Sequence, residues 1–328
     1  MTFLSLILAL GIVYWLGSVR FMHWDGWYRS LVARLQAIPA IGANPIASIS
    51  LSLFIPCFAL ALIIVFVVQV FNSHWLVLIN VPILLYCIGR SDFVAEVQAY
   101  IDIVQRGDTV AASRWVDEMR GNAEHDAESS DVSDWRGLHT EALKVIAYRG
   151  FEKTFAVLFW FFIAGALGAL LYRLSVLYRE FSEADSLQTQ LVSRWLWLLE
   201  LPSVRLMGVT WALVGNFDTT PLRENMMDME KSSMDVLNTC LRGALGAPLE
   251  SPVTSAKKDT ENPDSDDEEE VALSEDSVDV IEDLTGAVIT TQVEPAYSFA
   301  LVKSSMPLYT RSLLFWVCAL AFATLFVA

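Results

Sequence analysis

The chain has 328 residues, 54% of them hydrophobic and 18% charged, with a mean hydropathy of +0.45. Soluble globular domains run at about 45–50% apolar and about 25% charged, so this composition excludes a soluble enzyme, a disordered protein and a secreted disulfide scaffold, and points to an integral membrane protein. The net charge of −16 is concentrated between Ala256 and Asp283, where thirteen Asp/Glu accompany two Lys. Without a basic face no nucleic-acid partner is expected, and an acidic segment of this kind is repelled by anionic lipid.

In chain order, Thr2–Ser18 is an apolar run with no basic residue ahead of it. A signal peptide needs a basic start, so the run reads as an uncleaved first span. Pro45–Val70 carries no charge over 26 residues, enough to cross about 30 Å of hydrocarbon. Trp75–Gly89 follows after only Asn72, Ser73 and His74 and predicts a membrane hairpin. In the region 90–153, Phe93, Val97, Tyr100, Ile101 and Val104 recur at helical spacing. Asp108 or Thr109 is placed to cap a second helix carrying Val110, Trp115, Val116 and Met119. Asn122–Asp134 reads as loop, and a third helix starts near Trp135 and runs on into the membrane.

Thr154–Leu171 is a fourth apolar run, rich in Phe and Gly. Its Gly165-Ala166-Leu167-Gly168 is no phosphate loop and suggests close helix packing through small residues; a homodimer and intramolecular packing would use the same face. Trp195–Gly215 is interrupted by Glu200, Pro202 and Arg205. It is either a span with functional charges near its middle or two short helices meeting at Pro202. Met226, Met227, Met234, Leu237, Leu241 and Leu245 form a stripe suited to packing on a neighbouring helix or to an adaptable partner groove. Residues 248–293 have the composition of a disordered acidic linker, and Leu308–Ala328 closes the chain with another apolar run. The expected fold is therefore all-α: a polytopic membrane protein with four to five transmembrane helices. Its expected parts are membrane spans with an amphipathic loop over 1–89, a soluble helical region over 90–153, a membrane core with amphipathic helices over 154–247, the linker over 248–293 and a final span over 294–328. Counting Lys and Arg puts Arg20–Asn44 and Arg90–Lys153 on the cytoplasmic side; Arg173 and Arg179, after the fourth run, oppose that assignment.

No catalytic motif, metal-ligand spacing or cofactor fingerprint is present: Cys57, Cys87, Cys240 and Cys318 are scattered, as are the four histidines. Charge does gather at the two ends of the fourth run, with Arg149, Glu152 and Lys153 before it and Arg173 and Arg179 after it. Such residues either anchor a helix at the membrane edge or line a cationic pocket for a carboxylate or phosphate, to which Arg bonds bidentately.

The stretch Val157–Arg173, containing Leu158-Phe159-Trp160 and Tyr172-Arg173, followed by Leu201-Pro202, Arg205-Leu206 and Leu213-Val214-Gly215, resembles the AmpE family of bacterial inner-membrane proteins. It is also similar to the wider superfamily of CobD/CbiB cobinamide-phosphate synthases. The resemblance covers about Ala142–Gly215, with a weaker match at His23-Trp24-Asp25. It implies a multi-pass inner-membrane signalling modulator in β-lactamase induction and cell-wall (muropeptide) recycling, associated with a cytosolic anhydromuropeptide amidase. The synthases carry carboxylate-bearing groups on both sides of the Leu-Phe-Trp; here Tyr148, Arg149, Glu152 and Lys153 stand before it, Val176, Leu177, Tyr178 and Arg179 after it, and only Glu152 is acidic. Synthase chemistry, or a structural scaffold, is the alternative. The candidate ligand-binding residues are Arg149, Glu152, Arg173, Arg179 and Arg205, with an anionic metabolite as the expected ligand.

Overall fold

The computed structural model describes residues 2–16, 25–71, 75–88, 93–123, 135–183, 186–223, 231–247, 297–319 and 321–322. Among the described residues every regular element is helical and there is no strand. The linker over 248–293, the 72–74 hairpin, most of the expected Asn122–Asp134 loop, and Met226 and Met227 lie outside these residues. Among the described residues three stretches are long and apolar enough to cross a membrane: Pro45–Val70, Trp135–Phe181 and Leu187–Val214.

Helices α1 (Thr2–Leu16), α2 (Gly26–Gln36), α3 (Pro39–Gly42), α4 (Pro45–Phe71) and α5 (Leu76–Cys87) come first; α1, α4 and α5 are apolar, and α2 carries Arg29 and Arg34. α4 has 27 residues without a charge and accommodates Pro56 in its interior. A helix apolar all round is either a core helix or lipid-facing, and only 17% of the α4 apolar window is buried, which fits the second. Helices α6 (Phe93–Gln105) and α7 (Thr109–Arg120) follow. The expected apolar face of α6 is turned inward through Val97, Tyr100 and Ile101. On α7 the stripe is only partly inward: Val116 is buried and Val110 exposed. Asp108 caps α7, its carboxylate accepting from the Ala111 N–H at 2.9 Å. The Tyr100 hydroxyl lies 2.9 Å from His139 Nδ1, tying α6 to the next helix, and burial pushes its pKa up, so it stays a neutral hydroxyl.

From Trp135 to Phe181 the chain is helical for 47 residues: α8 (Trp135–Gly150), a π-helical turn over Phe151–Phe155, and α9 (Ala156–Phe181). The helix starting at Trp135 thus runs on into the fourth apolar run, as expected, but that run is not a straight span. Gly165 sits at φ +65°, ψ −153° in the middle of α9, a conformation closed to residues with a Cβ. Three residues on, a Cβ on Gly168 would lie 2.5 Å from the Trp160 carbonyl oxygen. Residues eight apart in a continuous helix are about 12 Å apart. The chain therefore doubles back, and α9 is two antiparallel half-helices, 156–164 and 166–181. Of the Gly-rich motif, only Gly168 serves the expected small-residue packing. A Cβ on Gly165 would meet nothing within 4 Å, so that glycine is required for its backbone angle; Gly168 supplies the close approach, to its own chain.

α10 (Leu187–Val214) runs 28 residues straight through Pro202, which settles the choice left open for Trp195–Gly215 in favour of one helix. Ser186 caps it, accepting from the Thr189 N–H at 3.2 Å. α11 (Ser233–Ala244) buries Met234, Leu237 and Leu241, so the described part of the Met/Leu stripe is core. A Cβ on Gly208 of α10 would come 3.0 Å from Cys240 Sγ of α11, the kind of close crossing small residues permit. The last helix, α12 (297–319), begins before the expected Leu308 and packs on α8 and the π-helical turn: Phe299 meets His139 at 5.5 Å and Trp316 meets Phe155 at 5.3 Å between ring centroids.

Candidate functional site

Folding at Gly165 brings two charged stripes together. On the entering arm, Tyr148 and Glu152 are four residues apart and Arg149 and Glu152 three apart, so all lie on one helix face. On the returning arm, Tyr172 and Arg179 share a face at a seven-residue spacing. In an unbroken helix Glu152 and Arg179 would be about 40 Å apart; here Arg179 Nη2 lies 2.6 Å from Glu152 Oε2. Arg149 Nη1 lies 2.8 Å from the other oxygen, Glu152 Oε1. Arg179 Nη1 donates to the Tyr148 hydroxyl at 2.7 Å. That hydroxyl donates in turn to Glu200 Oε1 of α10 at 2.9 Å, and Tyr172 donates to the same oxygen at 3.1 Å. Relative exposures are 6% for Arg149, 2% for Glu152, 3% for Arg179 and 2% for Glu200. Two guanidinium and two carboxylate groups are thus buried together with their charges balanced, the arrangement a low-dielectric interior demands.

Arg149 is the most heavily committed of these groups. Its Nε donates to the Met119 carbonyl at 2.6 Å and its Nη2 to the Arg120 carbonyl at 3.0 Å. Both acceptors belong to the last turn of α7, the partially negative end of that helix. Gly121 follows at φ +49°, and a Cβ there would come 3.0 Å from Arg149 Nη2, so glycine both ends α7 and clears the guanidinium. At its outer side Arg149 Nη1 also reaches Glu180 Oε1 at 3.4 Å, and the Glu180 side chain is 30% exposed. Asn122 closes the same region, donating through Nδ2 to the carbonyls of Arg179 and Ser182, each at 3.0 Å.

Of the residues singled out in the sequence, Arg149, Glu152 and Arg179 meet in this network. Arg173 instead faces Asp25 at 3.7 Å, and the Tyr86 hydroxyl donates to that same carboxylate at 3.2 Å. Arg205 donates to the Leu201 carbonyl of its own helix at 3.1 Å. Lys153 pairs with Glu96 of α6 at 2.6 Å. Sequence reasoning did not assign Tyr148, Tyr172, Glu180 or Glu200 to the site. Glu200 did carry a signal, as an acidic residue inside an apolar run. Glu152 also sits on the π-helical turn, an insertion that favours functional positions.

Both Glu152 oxygens are engaged by guanidinium groups, which leaves that carboxylate poorly placed for proton transfer or metal ligation. No group of three or more His, Cys, Asp or Glu able to hold a metal ion occurs among the described residues. The geometry suits electrostatic latching, with the partly exposed Glu180 at the outer edge of the network.

Over residues 1–245 the chain matches the family model described as regulatory signalling modulator protein AmpE. The chain belongs to the AmpE family. The matched region ends just after α11. It takes in the whole hairpin and every member of the ion network and leaves out α12. No curated protein and no solved structure matches the chain. Membership supports a regulatory role, and the three long apolar stretches fit a membrane protein.

Proposed function

We propose that this protein is a multi-pass modulator in the bacterial inner membrane that acts in β-lactamase induction and cell-wall (muropeptide) recycling, by binding an anionic metabolite at Arg149. Family membership supports the regulatory role. The observation that carries the binding step is the unequal hold on Arg149: Glu152, buried, at 2.8 Å, and Glu180, 30% exposed, at 3.4 Å. A carboxylate or phosphate arriving from solvent has only to replace Glu180, because the guanidinium fork is already oriented by the Met119 and Arg120 carbonyls. The bound state would be passed on to a cytosolic partner of the anhydromuropeptide amidase type.

Native mass spectrometry of the protein in lipid nanodiscs, with an induction reporter at normal expression, tests this reading. A co-purifying small anion that disappears in Arg149→Gln and binds more tightly in Glu180→Gln, with induction altered in step, is the expected result. An unliganded protein whose Arg149→Gln and Glu180→Gln variants fold and signal normally would overturn it.

A further inference from the structure

By hydropathy alone Thr154–Tyr172 is a transmembrane helix: nineteen residues with no charge, where about 20 suffice to cross. The fold at Gly165 divides that run unequally, leaving eleven residues in Thr154–Ala164 and seven in Ala166–Tyr172. At 1.5 Å per residue the two pieces reach about 16 Å and about 10 Å, against a hydrocarbon core of about 30 Å. Beyond them come Lys153 and Glu152 on one arm and Arg173 and Arg179 on the other, groups that are costly to carry deeper. We infer that Trp135–Phe181 is a re-entrant hairpin: it enters the membrane from one face, turns at Gly165 and leaves by the face it entered, so the chain before Trp135 and the chain after Phe181 lie on one side.

Three observations converge on this placement. The hairpin mouth is latched by Glu152–Arg179 at 2.6 Å and Arg149–Glu180 at 3.4 Å. Those pairs stand at nearly equal distances from Gly165, thirteen and fourteen residues for the first and sixteen and fifteen for the second. Asn122, which precedes the hairpin, donates to the carbonyl of Ser182, which follows it, at 3.0 Å, so entry and exit are at one level. At the turn, Phe162 and Ile163 are 48% and 58% exposed: the tip presents apolar side chains outward, as lipid contact requires. The placement also removes the conflict in the charge count. With a single crossing, Arg173 and Arg179 would be separated from the eight Lys/Arg of Arg90–Lys153; with a re-entrant hairpin all of them fall on the cytoplasmic face, as the positive-inside rule asks. Nothing in this inference depends on a bound anion.

Single cysteines test it. In full-length protein with Cys57, Cys87, Cys240 and Cys318 replaced by Ala, Glu118→Cys reports the side before the hairpin, Glu183→Cys the side after it and Ile163→Cys the tip. All three positions are exposed. Labelling with a membrane-impermeant maleimide is compared between sealed right-side-out and inverted vesicles. Glu118→Cys and Glu183→Cys are expected to label in the inverted vesicles and to lose that labelling in the right-side-out ones, and Ile163→Cys to label in neither until detergent is added. Labelling of Glu118→Cys and Glu183→Cys in opposite vesicle orientations would overturn the inference, as would labelling of Ile163→Cys from the face opposite Glu118→Cys.

Discussion

α4 and the Trp135–Phe181 hairpin carry apolar runs that hydropathy treats alike, yet they are built differently. α4 has no charge over 27 residues and its apolar window is 17% buried, whereas the corresponding window of the hairpin is 50% buried. α4 makes no ion pair; beyond apolar contact its Ser48 hydroxyl lies 3.1 Å from the Tyr178 hydroxyl. The hairpin is held by a backbone turn at one end and by paired charges at the other. Length and hydropathy describe what a segment can dissolve in; they do not say whether it is straight. What distinguishes the two segments is one glycine at positive φ and charges at matching distances on either side of it.

The contrast can be broken most forcefully at the hairpin mouth. Glu152→Gln leaves Arg149 and Arg179 buried without their shared carboxylate and is expected to cost about 3–5 kcal/mol, read as a fall in thermal midpoint in nanodiscs. Next in size is Gly165→Val, which forces a β-branched residue to φ +65° and is expected to cost roughly 1–3 kcal/mol; unchanged stability there would mean the turn survives without glycine. Tyr148→Phe removes the hydroxyl that links Arg179 to Glu200 and should cost about 1–3 kcal/mol, with Tyr172→Phe milder because Glu200 keeps its Tyr148 donor. Asp108→Ala, which deletes the α7 cap, should cost about 1 kcal/mol and shows up earliest as faster amide exchange in the first turn of α7. At the other pole, Phe58→Leu on the outward face of α4, where Phe58 is 66% exposed, is expected to stay within about 0.5 kcal/mol of the parent. A loss above 1 kcal/mol there would mean that α4 has a protein neighbour rather than lipid.

Much of this architecture can be read from residue order. The Asp108 cap, the inward face of α6 and the helix starting at Trp135 follow from local chemistry. Arg149, Glu152 and Arg179 could be singled out because they border an apolar run where charge is expensive. Their pairing could not, since it depends on a turn at Gly165, and a glycine in an apolar helix looks the same whether it serves packing or positive φ. Pro202 misleads in the other direction: a proline beside Glu200 and Arg205 resembles a break, yet α10 carries it through. Arg173 and Arg179 lie only six residues apart, but their partners are 127 residues apart in the chain, Asp25 and Glu152. No local pattern announces such long-range choices.

The grip of Arg149 couples α7 mechanically to the hairpin. One guanidinium holds the Met119 carbonyl at 2.6 Å, the Arg120 carbonyl at 3.0 Å and the Glu152 carboxylate at 2.8 Å. A displacement of α7 by about 1 Å would carry its bonds beyond hydrogen-bonding range and free that side chain to lean on its carboxylates. Motion of α7 is thereby converted, at a single pivot, into a change of charge pairing at the hairpin mouth.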